Sequence, residues 1–347
     1  MATRMPVTEI VNVNVTRQLI TPSLEDFGLL CYFVDDSTLA QGAYQVFNSY
    51  EAFQQVFTTS GSSIDIYVDT FFSQNPSPTK IALARVDIAG GDTYPDVIEA
   101  RRADLDFYAV GIDNLTLSDA DFTAVAAKVQ QQKLLWVQQR DNTTAAALAA
   151  SLIALDYHRT AIVSKDDIGS DGNRVDAAWL GNSLTKQAGS FNWANEHLET
   201  VNASDLSVTA IDTLWDARVN VYAQVGKDDI MRRGATCGTD WRIDQVQGMD
   251  WLEINLKEAI RDLLVNNDKL AYTDVGMNIA IGQCMKIAKD AIDLNILAAT
   301  PKPKATAPSV FTMSASDRAE GIAPAITMTC RLAGSINNIT VDVPVEV

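Results

Sequence analysis

Histidine and cysteine are scarce in this chain, and long apolar runs are absent. Its 347 residues hold two histidines, His158 and His197. Neither has a cysteine or a second histidine beside it, so a metal site built on imidazole is disfavoured. The four cysteines, Cys31, Cys237, Cys284 and Cys330, are far apart, and most sit in apolar patterns. That reads as buried thiols in a reducing compartment rather than a disulfide framework. No apolar stretch approaches the ~20 residues that a bilayer span needs, so no membrane partner is expected. Met1-Ala2-Thr3-Arg4 opens without an apolar signal core, and residence in the cytoplasm is the expectation. Basic residues number 27 against 44 acidic ones, for a formal net charge of −17. No run of Lys or Arg exceeds Arg101-Arg102 or Arg232-Arg233, which leaves no basic face for nucleic acid. The acidity favours solubility at high copy number and restrains premature association between copies.

The patterns that carry chemistry are missing too. Gly-x-Gly-x-x-Gly, the P-loop and the Gly-x-Ser-x-Gly elbow do not occur, so no nucleotide or nucleophile fingerprint is present. Gly90-Gly91-Asp92 reads as a turn, with no helix clearly following to present an N-terminus to phosphate. Asp167 to Asn173 superficially resembles a calcium loop, but its spacing is wrong and Ala178 stands where the bidentate Glu belongs. Asp119/Asp121 and Asp228/Asp229 read as helix-start and solvated-turn residues. Neither catalysis nor a cofactor is expected.

What is present is an ordinary globular composition, 47% hydrophobic and 20% charged, with β-strand patterns at both ends. Val11, Val13 and Val15 alternate with Asn12, Asn14 and Thr16. Ile339, Val341, Val343 and Val345 alternate with Thr340, Asp342, Pro344 and Glu346. Period-two alternation lays one apolar row on one face of each strand, and a strand at a terminus offers an unpaired edge to another chain. Burying four Val/Ile side chains yields at most roughly 6–12 kcal/mol, and about four backbone hydrogen bonds add roughly 2–6. Ordering about ten residues costs roughly 10–20 kcal/mol. Such an arm is expected to order only on assembly. Pairing within its own domain is the alternative, and Pro344 limits the last strand to pairing over part of its length.

Between the arms, the sequence predicts strands at Gly28–Val34, Lys80–Ile88, Phe107–Ile112, Leu134–Gln138 and Thr160–Ser164. Helices are expected from Ser49, over Ile64–Phe72, from the Ser118/Asp121 capping box through Ala127, and over Thr144–Leu155. This order specifies a small α/β domain with a partly parallel sheet. The polar, Gly-rich Lys165–Gly172 reads as a domain boundary. Beyond it, helices are predicted at Arg174–Lys186, Thr209–Ala217, Trp251–Val265 and Asp274–Leu294, with strands at Asn220–Gln224 and around Met231–Thr236. Thr300–Pro308 reads as a linker. A hairpin follows, its first strand alternating Ile326, Met328, Cys330 and Leu332 before a Gly334-Ser335 turn. The fold class expected is α/β plus α+β: an arm over 1–19, an α/β domain over 20–168, an α+β domain over 169–335 and an arm over 336–347.

One block is specific. Trp241-Arg242-Ile243-Asp244 and Gly248-Met249-Asp250-Trp251-Leu252 lead into a long helix, followed by Leu270-Ala271-Tyr272-Thr273-Asp274-Val275-Gly276. This resembles the C-terminal half of sheath proteins from contractile-tailed bacteriophages. Ala217–Tyr222, Glu9–Val13 and Leu332–Ile336 fit the same family, and the α/β segment matches only in overall order, as an outward-facing insertion would. The resemblance implies a virion structural subunit assembled in the host cytoplasm, not an enzyme. Subunits of that family form stacked six-fold rings around a tail tube, between baseplate and terminator proteins, and donate their terminal strands to neighbours. Contraction drives the tube through the bacterial envelope. The mesh positions are then Val11, Val13, Val15, Ile339, Val341, Val343 and Val345, received near Ile326–Leu332 in an α+β domain proximal to the tube. Trp241, Trp251 and Leu252 are expected in that domain's core. Lys286, Lys289, Lys302 and Lys304 form a basic island that either faces the tube or is simply solvated. Another self-assembling tail or surface-array protein, or a soluble α/β enzyme, are the alternatives.

Overall fold

The computed structural model describes residues 27–166 and 174–337. Both strand-patterned ends, with Val11, Val13, Val15, Ile339, Val341, Val343 and Val345, lie outside them, as does the Asp167–Asn173 loop. The described residues form two compact units, a larger one within 27–187, 191–244 and 335–337 and a smaller one of 188–190 and 245–334.

The larger unit is built on an eight-stranded sheet, in the order β2-β3-β1-β4-β5-β6-β7-β8. Its strands are β1 (Leu30–Val34), β2 (Tyr44–Phe47), β3 (Ile81–Arg85), β4 (Ala109–Ile112), β5 (Leu135–Asp141), β6 (Thr160–Lys165), β7 (Asn220–Val225) and β8 (Asp228–Arg232). β3, β1, β4, β5, β6 and β7 are parallel, and antiparallel β2 and β8 close the two edges. Leu30-Cys31-Tyr32-Phe33-Val34 is buried throughout, because a central parallel strand is covered on both faces and needs no polar alternation.

Alternate residues feed opposite layers. Cys31, Phe33, Val110, Ile112, Trp136 and Ile162 pack in one core with α3 (Tyr94–Asp104), α4 (Asp119–Gln131), α5 (Asn142–Ala154) and α7 (Val208–Asp216). On the other face Tyr32 stacks on Tyr67 of α2 (Ser63–Phe72), ring centroids 3.7 Å apart. There α2 packs against α6 (Val175–Leu184). The short α1 (Tyr50–Gln54) is capped by Ser49 and buries Phe53.

One buried polar cluster ties this second layer together. Arg174 grips Asp176 through Nε and Nη2, each 3.0 Å from a carboxylate oxygen. It also donates to the Tyr32 hydroxyl at 3.2 Å and lies over the Tyr67 ring. Tyr32 in turn donates to Asp113 at 2.6 Å. Burial opposes the charge on Arg174, but the Asp176 carboxylate offsets it and lifts the guanidinium well above its ordinary value. Asp113 moves up, chiefly through burial, with Tyr32 and Arg174 acting against the rise.

The smaller unit holds most of α8 (Ile243–Val265) and all of α9 (Asp274–Asp293). Its two-stranded antiparallel sheet pairs β9 (Lys304–Thr306) with β10 (Thr327–Thr329). A 3-10 turn at Val310–Thr312 and α10 (Ala315–Glu320) lie between those strands.

Several expectations need correction. A helix does follow Gly90-Gly91-Asp92: α3, capped by Thr93. The boundary expected at residue 168 does not end the sheet, since β7 pairs with β6 beyond it and the two units divide at 244/245. The strand around Met231–Thr236 is centred earlier, on β8, and α8 starts eight residues before Trp251. Residues 304–306 of the expected linker form β9. Cys330 is exposed, unlike the three buried thiols.

Because the side chains of Arg174 and Asp176 are 4% and 0% exposed, removing one partner strands a buried charge. Asp176→Ala is expected to lower stability by about 3–5 kcal/mol, while replacing both by apolar residues of similar volume costs far less. Urea unfolding of the single and double variants measures the difference.

Candidate assembly surfaces

Among the described residues, the smaller unit carries one short two-stranded sheet. Thr327, Met328 and Thr329 register with Thr306, Ala305 and Lys304. Met328 and Ala305 are half-buried, whereas Lys304, Thr306, Thr327 and Thr329 are exposed. The chain continues the pairing past β10, where Leu297 bridges Leu332 and Ala298 and Ala333 donate to the Arg331 and Ile296 carbonyls. Among the described residues this sheet has two strands and therefore two outer edges. Such edges carry unpaired N–H and C=O groups.

The supports around this sheet explain the glycine-bearing block in the sequence. Thr273 caps α9, its hydroxyl accepting from Gly276 N–H at 3.2 Å. A Cβ on Gly276 would lie 2.0 Å from the Ala271 carbonyl oxygen, so only glycine fits. Asp274 accepts from Ser309 Oγ at 3.0 Å and from Val310 N–H at 2.9 Å, fixing the 3-10 turn against the start of α9. Gly189 has φ +72°, and a Cβ there would meet Gly248 Cα at 2.7 Å, so α8 is crossed closely at its own glycine.

α9 has two faces of different character. Met277, Ala280, Cys284, Ala288 and Ala291 are buried. Opposite them Val275 and Ile279 are 71% and 48% exposed, and Gly282 and Lys286 continue that stripe in the open. Lys289 is exposed and pairs with Asp293 at 2.5 Å, a hydrogen bond that raises its pKa. Lys302 and Lys304 are exposed as well. The four lysines thus fall on two elements of one unit, α9 and the segment ending in β9, which pack together. Sequence reading passed over Val275 and Ile279. Their signal was an apolar pair four residues apart that lies outside the Ala280–Cys284–Ala288 stripe. Of the residues expected in the core, Trp251 is buried, and Trp241 and Leu252 are half-buried.

Residues that would carry chemistry lie in structural roles. His158 is buried beside Gln130 and the Trp241 ring, and His197 meets the Asp229 carbonyl at 3.0 Å. Asp121 accepts from Ser118 Oγ in the α4 cap. Burial pushes Cys31 above the usual thiol range and Cys237 up to about 12. Among the described residues no group of three or more His, Cys, Asp or Glu side chains is placed to hold a metal ion. No described helix is long and apolar enough to cross a membrane.

No protein-family model matches the sequence, and no curated protein matches it. Solved structures do. A chain of the anti-feeding prophage baseplate in its contracted state superposes with a TM-score of 0.72 at 14% identity, covering 96% of this chain and 97% of that one. The sheath complex of an extracellular contractile injection system, also contracted, gives 0.70 at 12% identity, with 96% and 98% covered. The sheath tail protein of Desulfitobacterium hafniense gives 0.61 at 10% identity, with 93% and 100% covered. This chain therefore has the fold of contractile-tail sheath proteins over nearly its whole length.

Cys330 follows β10 directly and is exposed, while partial burial of its sulfur lifts the thiol above the ordinary value. In the native chain one thiol in four is expected to react with a maleimide or disulfide reagent at mildly alkaline pH, and all four in denaturant. Mass spectrometry locates the label; modification of Cys31 or Cys237 without denaturant would contradict the burial described.

Proposed function

We propose that this chain is a sheath subunit of a contractile tail or a related injection machine. The observation that carries this reading is the near-complete coverage, in both directions, of chains from a contractile sheath complex and a sheath tail protein. The open edges of the β9–β10 sheet support it further. In this reading subunits stack as six-fold rings around a tail tube, held between baseplate and terminator proteins in the virion. Segment 1–16, with Val11, Val13 and Val15, and segment 339–347, with Ile339, Val341, Val343 and Val345, are donated to the β9–β10 edges of neighbouring copies. The smaller unit, with residues 245–334, is read as the tube-proximal part and the larger unit as the outward part. Strand addition supplies main-chain bonds, and a head-to-tail contact that does not close generates an open helical stack. Contraction is a move between two packings of the same subunits. A preference of ~1–3 kcal/mol per subunit is ordinary for one coupling and large when summed along a tail.

The lysine-bearing side of α9 and β9 is the surface assigned to the tube. Lys286, Lys289, Lys302 and Lys304 provide charge in an otherwise acidic chain, and Val275 and Ile279 provide apolar area beside them.

Negative-stain microscopy tests the reading directly. The purified chain, alone or with its tube, is expected to form hollow cylinders. Deleting residues 1–16 or 339–347 is expected to abolish them while leaving a folded monomer by circular dichroism. Truncated chains that still polymerise normally would refute strand donation. For the tube surface, Lys286→Glu with Lys289→Glu is expected to weaken co-sedimentation with tube, and raised salt to weaken the wild-type interaction in the same direction.

A further inference from the structure

In the buried cluster of the larger unit, two carboxylates share one guanidinium. Asp113 follows β4 directly, and its side chain is 18% exposed, so protons from solvent can reach it. Its Oδ1 accepts from the Tyr32 hydroxyl at 2.6 Å and its Oδ2 from Ser63 Oγ, at the start of α2, at 2.9 Å. Arg174 commits Nε and Nη2 to Asp176, each at 3.0 Å. Its Nη1 donates to the Tyr32 hydroxyl at 3.2 Å and lies 3.7 Å from Asp113 Oδ1, beyond hydrogen-bond reach. Asp176, fully buried, therefore holds the fork, and Asp113 has no cation of its own in the cluster.

The other titratable groups facing Asp113 do not supply the missing charge. Tyr32 of β1, Tyr67 of α2 and Tyr94 of α3 are neutral phenols, pushed further from ionisation by burial. Asp35, in the turn after β1, faces Tyr94 from the same side and adds another carboxylate. Burial acts most strongly on Asp113 and, with Asp176, lifts it above the ordinary carboxylate value against Tyr32, Arg174 and Ser63. The two hydroxyls do not demand an ionised partner. Each rotates, so Tyr32 can still donate to a protonated Asp113 while Ser63 accepts from it. Carboxylates that compete for one cation hold a proton between them to higher pH than either would alone. α2 rests directly on this end of the sheet, since a Cβ on Gly111 would lie 2.5 Å from Tyr67 Oη.

We propose that Asp113 is a proton-linked latch: the folded larger unit takes up a proton on this carboxyl in mildly acid solution, and α2 seats more firmly on β1 and β4 when it does. The sign follows from linkage. A carboxyl held above its unfolded value adds stability that is fully present below that unfolded value and is lost as pH rises through the folded one. The latch is thus closed in acid and loosened at neutral pH, where ionised Asp113 leaves the junction with one negative charge in surplus. It lies wholly within the larger unit and does not depend on the sheath reading.

Hydrogen exchange of the α2 amides in the full chain, read by mass spectrometry at neutral and mildly acid pH and corrected for intrinsic rates, tests the latch. Asp113→Asn mimics the protonated acid, its amide oxygen serving Tyr32 and its amide N–H serving Ser63. In this variant α2 is expected to exchange severalfold more slowly than in wild type at neutral pH, and at the wild-type rate in acid. Amides of α5, on the opposite face of the sheet, are expected to match between the two chains at each pH. Equal or faster α2 exchange in Asp113→Asn at neutral pH would overturn the inference, as would a difference that persists unchanged in acid. Loss of α5 protection in the variant would overturn it as well, by showing that the fold requires the ionised carboxylate.

Discussion

A two-stranded antiparallel ribbon is marginal in water until it gains further strands or a packing partner, and β9–β10 has only three residues in each strand. α9 packs against β9 and the Asp274–Ser309 contacts hold its connection in place, and among the described residues no third strand pairs with it. The functional reading depends on that incompleteness. Natural sheets shield their edges with charge, bulges or covering elements. The larger unit does so at one end, where Met231 of β8 exchanges backbone hydrogen bonds with Asn195 and Glu196. Among the described residues, then, the larger unit's edge strand β8 has a further backbone partner and the β9–β10 sheet has no third strand, which is the difference the proposed strand donation builds on.

The larger unit supplies rigidity instead. Its six parallel strands are covered on both faces by helices, and the Arg174 cluster ties β1, β4 and α6 through side chains that must all be in place at once. A buried network of this kind costs more to disturb than to keep. Bodies that preserve their interiors while exchanging surface contacts are what a transition between two subunit packings requires.

Much of this was legible in the sequence, for identifiable reasons. β1 announced itself as an unbroken apolar run, and α2 and α9 as helical stripes behind Ser and Thr caps. α3 was hidden because only Tyr94, Ile98 and Arg102 are buried along eleven residues, too narrow a stripe to register against its charges. β9 was hidden because three residues among prolines become a strand only through β10, more than twenty positions away. The place of the domain boundary was misread because a polar loop between β6 and α6 looks the same whether the sheet stops there or continues. Exposure of Cys330 followed from pairing geometry rather than from its apolar neighbours. Within the glycine-bearing block from Gly248 to Gly276, the backbone of Gly189 crosses Gly248 closely and the Ala271 carbonyl leaves no room for a side chain at Gly276. The lysine surface was visible as composition, but its apolar half, Val275 and Ile279, emerged only once the buried face of α9 was fixed.

The most direct measurement is a cryo-EM reconstruction of the assembled cylinder at a resolution that traces main chain through β9 and β10. Strand donation predicts a sheet widened beyond two strands there, the added strands belonging to different copies and traceable to the chain's first and last segments. A sheet that stays two-stranded in the lattice, or is completed by the subunit's own termini, would contradict it.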